Sequence, residues 1–369
     1  MSLTQAAASF RVFQFDARLD ASVLKAFAEN AIPPLETLNE EPLVGWATPR
    51  FLVDRDIDDD TCHAGKFLHL SLAKAQRKIP KSLLTAYCRM EEIAYMKENQ
   101  LSFVNRKTRQ MIKEAVRKRM LPKMPPALTG SDVAIDLDRS LLYTDAKSDG
   151  QLDLIATAFA QAARTALVPL DSAGAAQRLF DVRTDELAPV SFSPEPNGDF
   201  VVNDPGLDFL TWLYYRFRTE QAEFQLPGAG APRASVVLDG PVTLVLEAQG
   251  AFSIALRNGT PLLGRECRSA LLGGKKVSSI KLQLTLGEET YTAIVSAPSF
   301  AITGLKLPPV DADRDANATF ADRMRFLQTF ADAFYGLYGL FLRERTDAAA
   351  WRRTLADIAK WMPSMPVKA

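Results

Sequence analysis

Between Lys74 and Lys123 the chain sets fourteen Lys or Arg against four acids, Glu91, Glu92, Glu98 and Glu114. The full 369 residues hold 44 basic and 44 acidic side chains, so the block's excess of ten positive charges is matched by an equal negative excess elsewhere. Net neutrality therefore hides an electrostatic direction. A fold for this chain has to show these cations to solvent or to a polyanion while anchoring the elements that carry them.

The cations are Lys74, Arg77, Lys78, Lys81, Arg89, Lys97, Arg106, Lys107, Arg109, Lys113, Arg117, Lys118, Arg119 and Lys123. Their local chemistry is helical. Pro80 suits a first turn, where a missing N–H costs nothing, and Leu83, Leu84, Tyr87, Met90 and Ala94 follow at helical spacing. After a break at 102–104, Asn105 is a natural N-cap for a second helix that ends near Leu121-Pro122. On it Arg106, Arg109, Lys113 and Arg117 step by three, four and four into one stripe, with Met111, Ile112, Ala115 and Val116 on a neighbouring stripe that can be buried. Such a ridge fits a phosphate backbone, where each neutralised phosphate releases counterions whatever the sequence. The same spacing also fits a solvated helix face, or a face that meets an acidic protein.

Length allows two or three lobes with a real core. Hydrophobic residues at 47% and charged residues at 24% are ordinary for globular chains. No apolar run reaches membrane-spanning length, and Met1 to Ser9 lacks the pattern of a signal peptide. Three scattered cysteines, Cys62, Cys88 and Cys267, point to a reducing cytoplasm. The expected organisation is a flexible lead-in at 1–9, then an α+β region at 10–172 that includes the basic helical pair 80–121. A β-rich region at 173–310 and a helical region at 311–369 follow.

Within this frame Phe10 to Phe15 alternates as a strand, and Asp20 or Ser22 can cap a helix through Leu24 and Phe27. Phe67 to Leu72, Val133 to Leu137 and Ser140 to Thr144 read as strands, with a helix from Gln151 to about Leu167. Phe209, Trp212, Leu213, Tyr214 and Phe217 crowd one helical span, which reads as a core anchor. Strands are expected over Ser235 to Leu238, Val242 to Ala248, Phe252 to Leu256 and Val277 to Leu286. Phe320, Met324, Leu327, Phe330, Phe334, Leu337 and Phe341 recur at three and four along a helix for the interior or an interface. A shorter helix, Ala349 to Trp361, closes the chain.

Catalytic and metal patterns are sparse. His63 and His69 with Cys62 match no zinc spacing, and two histidines give no support to a nucleophilic triad. Asp54, Asp56 and Asp58, and again Asp311, Asp313 and Asp315, begin like calcium loops but lack the required glycine. Gly273-Gly274-Lys275-Lys276 lacks the remainder of a phosphate-binding loop and reads as a hairpin turn. No cofactor is expected, nor a resident metal. One pattern carries enzymatic chemistry: Asp136 or Asp138 on one strand, with Asp145-Ala146-Lys147 on the next, resembles the two-acid-plus-lysine hairpin of Mg²⁺-dependent nucleases. Aspartates shaping a polar hairpin end give the same residues.

In this order the features resemble the RdgC family of recombination-associated DNA-binding proteins. The likeness starts at Val44-Gly45-Trp46-Ala47-Thr48-Pro49, and continues through Lys78-Ile79-Pro80-Lys81-Ser82-Leu83-Leu84 and Met120-Leu121-Pro122-Lys123. Ile135-Asp136, Leu141-Leu142-Tyr143-Thr144-Asp145 and Leu167-Val168-Pro169-Leu170 extend it. Fainter echoes follow at Leu210-Thr211-Trp212, Phe224-Gln225-Leu226, Gly274-Lys275-Lys276-Val277 and the helix from Phe320. The chain departs from the family in extra length over Phe180 to Gly264, and in Pro125, where the family has an aromatic.

The resemblance implies an α+β fold of antiparallel sheets with a charged helical pair and a C-terminal aromatic-rich helix. It further implies a homodimer closed as a ring around duplex DNA, with a basic inner surface and little sequence preference; single-stranded DNA stays open as a second partner, and the fourteen cations of the basic block are the expected contacts. The implied protein has a functional link to the RecA recombinase, association with the nucleoid in the cytoplasm, and no enzymatic activity. The alternative is a divalent-metal exonuclease that uses Asp136, Asp145 and Lys147.

Overall fold

The strand expected from Phe10 begins at Ala7 and runs to Gln14 (β1), and Leu3 ahead of it is fully buried, so the chain joins the core before the expected lead-in ends. The structure, a computed structural model, describes every residue except 1–2, 6, 21, 195–202, 229, 247–251, 310–314 and 367–369. Asp311 and Asp313 lie outside the described residues.

After β1 come α1 (Val23–Glu29), β2 (Leu43–Ala47), α2 (Asp59–Cys62), β3 (His63–Ala64) and β4 (Phe67–Arg77). The basic block then forms α3 (Lys81–Glu98) and α4 (Arg106–Met120), and β5 (Pro126–Asp136), β6 (Leu141–Thr144), α5 (Asp149–Ala163), β7 (Val168–Pro169) and α6 (Ser172–Phe180) follow. The rest of the chain gives α7 (Pro205–Arg218), β8 (Glu223–Gln225), β9 (Arg233–Val245), β10 (Ser253–Leu256) and α8 (Arg265–Leu272). It closes with β11 (Lys276–Leu286), β12 (Glu289–Ser296), β13 (Ile302–Lys306), α9 (Ala316–Thr346) and α10 (Ala348–Ser364). The fold is α+β, and every pairing between named strands among the described residues is antiparallel.

One strand joins the two halves. β1 pairs with β13 through Ala7↔Lys306 and Phe10↔Ile302, shifts register between Ala8 and Phe10, and then pairs with β6 from Arg11↔Thr144 to Gln14↔Leu141. The sheet thus runs β10-β9-β11-β12-β13-β1-β6-β5-β4-β2. A bulge of this kind lets a strand bend from one sheet direction to another. Gly45 on the edge strand β2 is required by space, because a Cβ there would sit 2.5 Å from the backbone of Ile32.

Two layers cover the sheet. On the N-terminal half, Phe27 of α1 meets Trp46 edge-on at 4.8 Å between ring centres, and Phe159 of α5 packs beside them. On the other half α7 and α9 supply an aromatic cluster centred on Phe209, which is fully buried. Five rings surround it: Trp212, Phe300, Phe334, Tyr338 and Phe341, at 5.2–6.3 Å. The spacing of three and four along α9 therefore packs in the interior. α9 also ties the halves together: Gln328 donates to Asp136 at 2.5 Å, Arg139 forks onto Asp332 at 3.0 and 2.6 Å, and Tyr335 donates to the Leu170 carbonyl at 2.9 Å.

Gly273 and Gly274 do not form a hairpin turn. They end α8, with Gly274 in the left-handed region at φ 81°, and Lys276 then opens β11 inside the core. There its Nζ lies 2.6 Å from Asp208 Oδ1, with Arg345 on the other carboxylate oxygen at 3.8 Å. A buried lysine is tolerated when a carboxylate meets it, and local spacing holds no sign of that distant partner. The short helices α6 and α8 and strand β13 are additions to the elements expected from the sequence. The strands expected at 235–238 and 242–248 merge into the single long β9.

Candidate nucleic-acid interface

β4 and β5 pair without interruption from Phe67↔Asp136 to Arg77↔Pro126, eleven rungs. At the far end of this ladder, two residues past the last β2 rung at Leu43↔Ala75, the chain leaves as α3 and returns as α4, so the basic block forms a two-helix arm at the end of the β2-β4-β5 ribbon. α3 has no buried residue, and α4 buries only Val116 and Met120. Asn105 caps α4 as expected, accepting from Thr108 N–H at 2.8 Å. The inward stripe of α4 is Ile112, Val116 and Met120; Met111, expected beside them, is 60% exposed. An arm that packs chiefly on its own partner helix has too little interior to cover both apolar stripes.

All fourteen cations lie on the arm, on its loops, or on the ribbon that carries it. Twelve are exposed; Lys74 and Arg77 at the ribbon are half-buried. Among the described residues, Arg109 and Arg119 are the members with a carboxylate partner, Glu92 at 3.2 Å and Glu91 at 2.6 Å. These two bridges cross from α4 to α3 and hold the helices together while leaving the ridge mostly unneutralised. Of its four residues, Arg106, Lys113 and Arg117 have no carboxylate partner among the described residues. At that density the unpaired cations sum into a positive field that an extended polyanion can relieve.

The acids singled out for metal chemistry are not gathered. Asp136 is fully buried and engaged: Lys66 Nζ at 3.0 Å and Gln328 on one oxygen, the N–H groups of Asp138 and Arg139 at 3.1 Å on the other. Asp145 sits opposite Asp132, whose N–H it accepts at 2.8 Å. Four residues of strand separate Asp132 from Asp136, about 13 Å at ordinary strand rise, which is beyond the span of one divalent ion. Lys147 is exposed, and its N–H donates to Gln151 at 3.1 Å. The histidines are apart as well. His63 faces Asp59 at 3.8 Å, and His69 is buried, stacked on Phe320 at 3.7 Å, its pKa lowered by burial to about 3.

What register does bring together is Asp132 and Asp145. Burial, and then the neighbouring Asp145 charge, raise Asp132 from 3.8 to about 6, against a bond from Ser71. Asp145 is also raised, again by burial first. A carboxyl raised on folding binds its proton more tightly in the native state. Its contribution is therefore full below the unfolded value and is lost as pH climbs from about 4 to about 6. Urea unfolding across that window is expected to show stability falling with rising pH. Asp132→Asn should flatten the slope, and an unchanged slope would dissociate this pair from it.

A long antiparallel sheet that projects a basic helical hairpin defines a class of protein that presents charge on an arm held away from its core. Residues 8–180 match the family model described as "Putative exonuclease, RdgC". The matched span takes in the arm, its ribbon and the Asp132–Asp145 pair, and residues 181–369 lie beyond the match. No curated protein matches the chain.

Proposed function

We propose that this protein binds DNA without sequence preference through phosphate contacts from the arm and acts as a non-enzymatic regulator of RecA-dependent recombination. The RdgC match supports a recombination-associated DNA-binding role at the level of the family. The observation that carries the reading on this chain is the arm itself: fourteen cations on one projection, twelve of them without a carboxylate partner among the described residues. Phosphate contacts position a protein on DNA without reading bases, so affinity follows charge and salt. Mobility-shift titrations at rising salt are expected to show a linear fall of log affinity with log salt, equal for duplexes of unrelated sequence. Salt-independent binding would remove the arm from the account.

A homodimer closed around DNA is part of the proposal. Tyr87, Met90 and Ile93 on α3, with Met111 on α4, leave apolar surface uncovered on the arm, as a contact with a second copy requires. No helix among the described residues is long and apolar enough to cross a membrane. The nuclease alternative loses support from the separation of Asp136 and Asp145. Labelled linear DNA incubated with the protein and Mg²⁺ is expected to stay intact; cleavage that disappears in Asp145→Ala would reinstate the enzyme.

A further inference from the structure

The turn at the far end of the arm carries a side chain that phosphate binding leaves unused. Just past the end of α3, Gln100 is left-handed at φ 53°, and Leu101 N–H returns to the Met96 carbonyl at 2.9 Å. Val104 is tucked inward at 7% exposure and Asn105 caps α4. Hydrogen bonds thus fix the turn at both ends, in the manner of a helix C-cap followed by an N-cap. From it Phe103 stands out at 72% exposure, the most exposed large apolar side chain among the described residues. Lys97, Arg106 and Lys107 lie within six residues of it along the chain, all exposed and without a carboxylate partner among the described residues.

We propose that Phe103 is a stacking wedge: it takes an unpaired or unstacked DNA base while Lys97, Arg106 and Lys107 hold the flanking phosphates. The arm then favours bubbles, gaps and single strands over plain duplex. This rests on the DNA-binding reading of the arm and refines it. A ring between cations is complementary to a base between phosphates, and stacking on a base face is tolerant of sequence. The other apolar occupant, the same turn of a second copy, is disfavoured by charge. A two-fold contact through Phe103 would set Arg106 and Lys107 against their own images.

The test uses the full chain and three fluorescein-labelled probes: a plain duplex, the same duplex with central unpaired thymines, and an oligothymidylate. Wild type is expected to bind the last two more tightly than the first. Phe103→Ala should lose about tenfold on those two probes and little on the duplex, and Phe103→Trp should retain the preference. Unpaired-base binding unchanged in Phe103→Ala, an equal loss on all three probes, or a change in oligomeric mass would overturn the wedge. Failure of the underlying reading is distinct: it shows as weak duplex binding by wild type, before any variant is compared. Since Phe103 is exposed, unchanged circular dichroism is expected in both variants.

Discussion

Changing Arg106, Arg109, Lys113 and Arg117 together to Glu is expected to abolish duplex binding while the fold survives. Each phosphate left unneutralised takes about 0.9 off the salt slope, so four of them flatten it by about 3.6 and weaken binding by a factor on the order of a thousand or more. The four new carboxylates add repulsion on top. The fold is insulated because the four side chains are exposed, and the pair that Arg109 makes with Glu92 is a surface bridge of small worth. Arg117 lies in the last turn of α4, where a cation suits the helix dipole, so its replacement costs about a few tenths of a kcal/mol, the ordinary scale of such interactions. Reversing Arg352 and Arg353 on α10 is the charge control and should leave affinity unchanged. A quadruple variant that still shifts duplex DNA at wild-type concentration would mean the ridge is only a solvated face.

The largest effect on stability is expected from Phe209→Ala. Its ring has five aromatic neighbours drawn from α7, from α9 and from Phe300 ahead of β13, so truncation opens a cavity that three separate elements would have to collapse to fill. A cost of about 3–5 kcal/mol is the scale for a buried Phe, a large share of the stability of an ordinary domain. Phe209→Leu should lose less, because most of the volume remains. Urea midpoints of the two variants order these outcomes. A midpoint for Phe209→Ala equal to wild type would show that the aromatic cluster closes the gap at little cost, contrary to its close packing.

Much of the arm was legible in the sequence because its signals are local. Asn105 as a cap, the stripe from Arg106 to Arg117 and the end near Leu121-Pro122 all depend on neighbours a few residues away. Its isolation was not legible. Whether Met111 or Met90 is covered depends on what stands beside the arm, and nothing in the spacing reports that α3 packs chiefly on α4. Non-local pairing explains the other gaps. Phe10↔Ile302 joins residues 292 positions apart, and Lys276 reads as a turn residue until Asp208 is placed next to it. The hairpin carrying Asp136 and Asp145 was visible, but only the ladder register puts Asp145 opposite Asp132 and leaves Asp136 to Lys66 and Gln328.

The division of β1 between two partners sets an order of events during synthesis. Its second half, Arg11 to Gln14, finds β6 once residue 144 has emerged, and the arm and its ribbon are by then also outside the ribosome. Its first half has to wait, unpaired, until Ile302 arrives. Over that long stretch of translation the nascent protein carries a finished arm beside an open strand edge, and that edge is the place where a chaperone or a stray neighbour would first take hold.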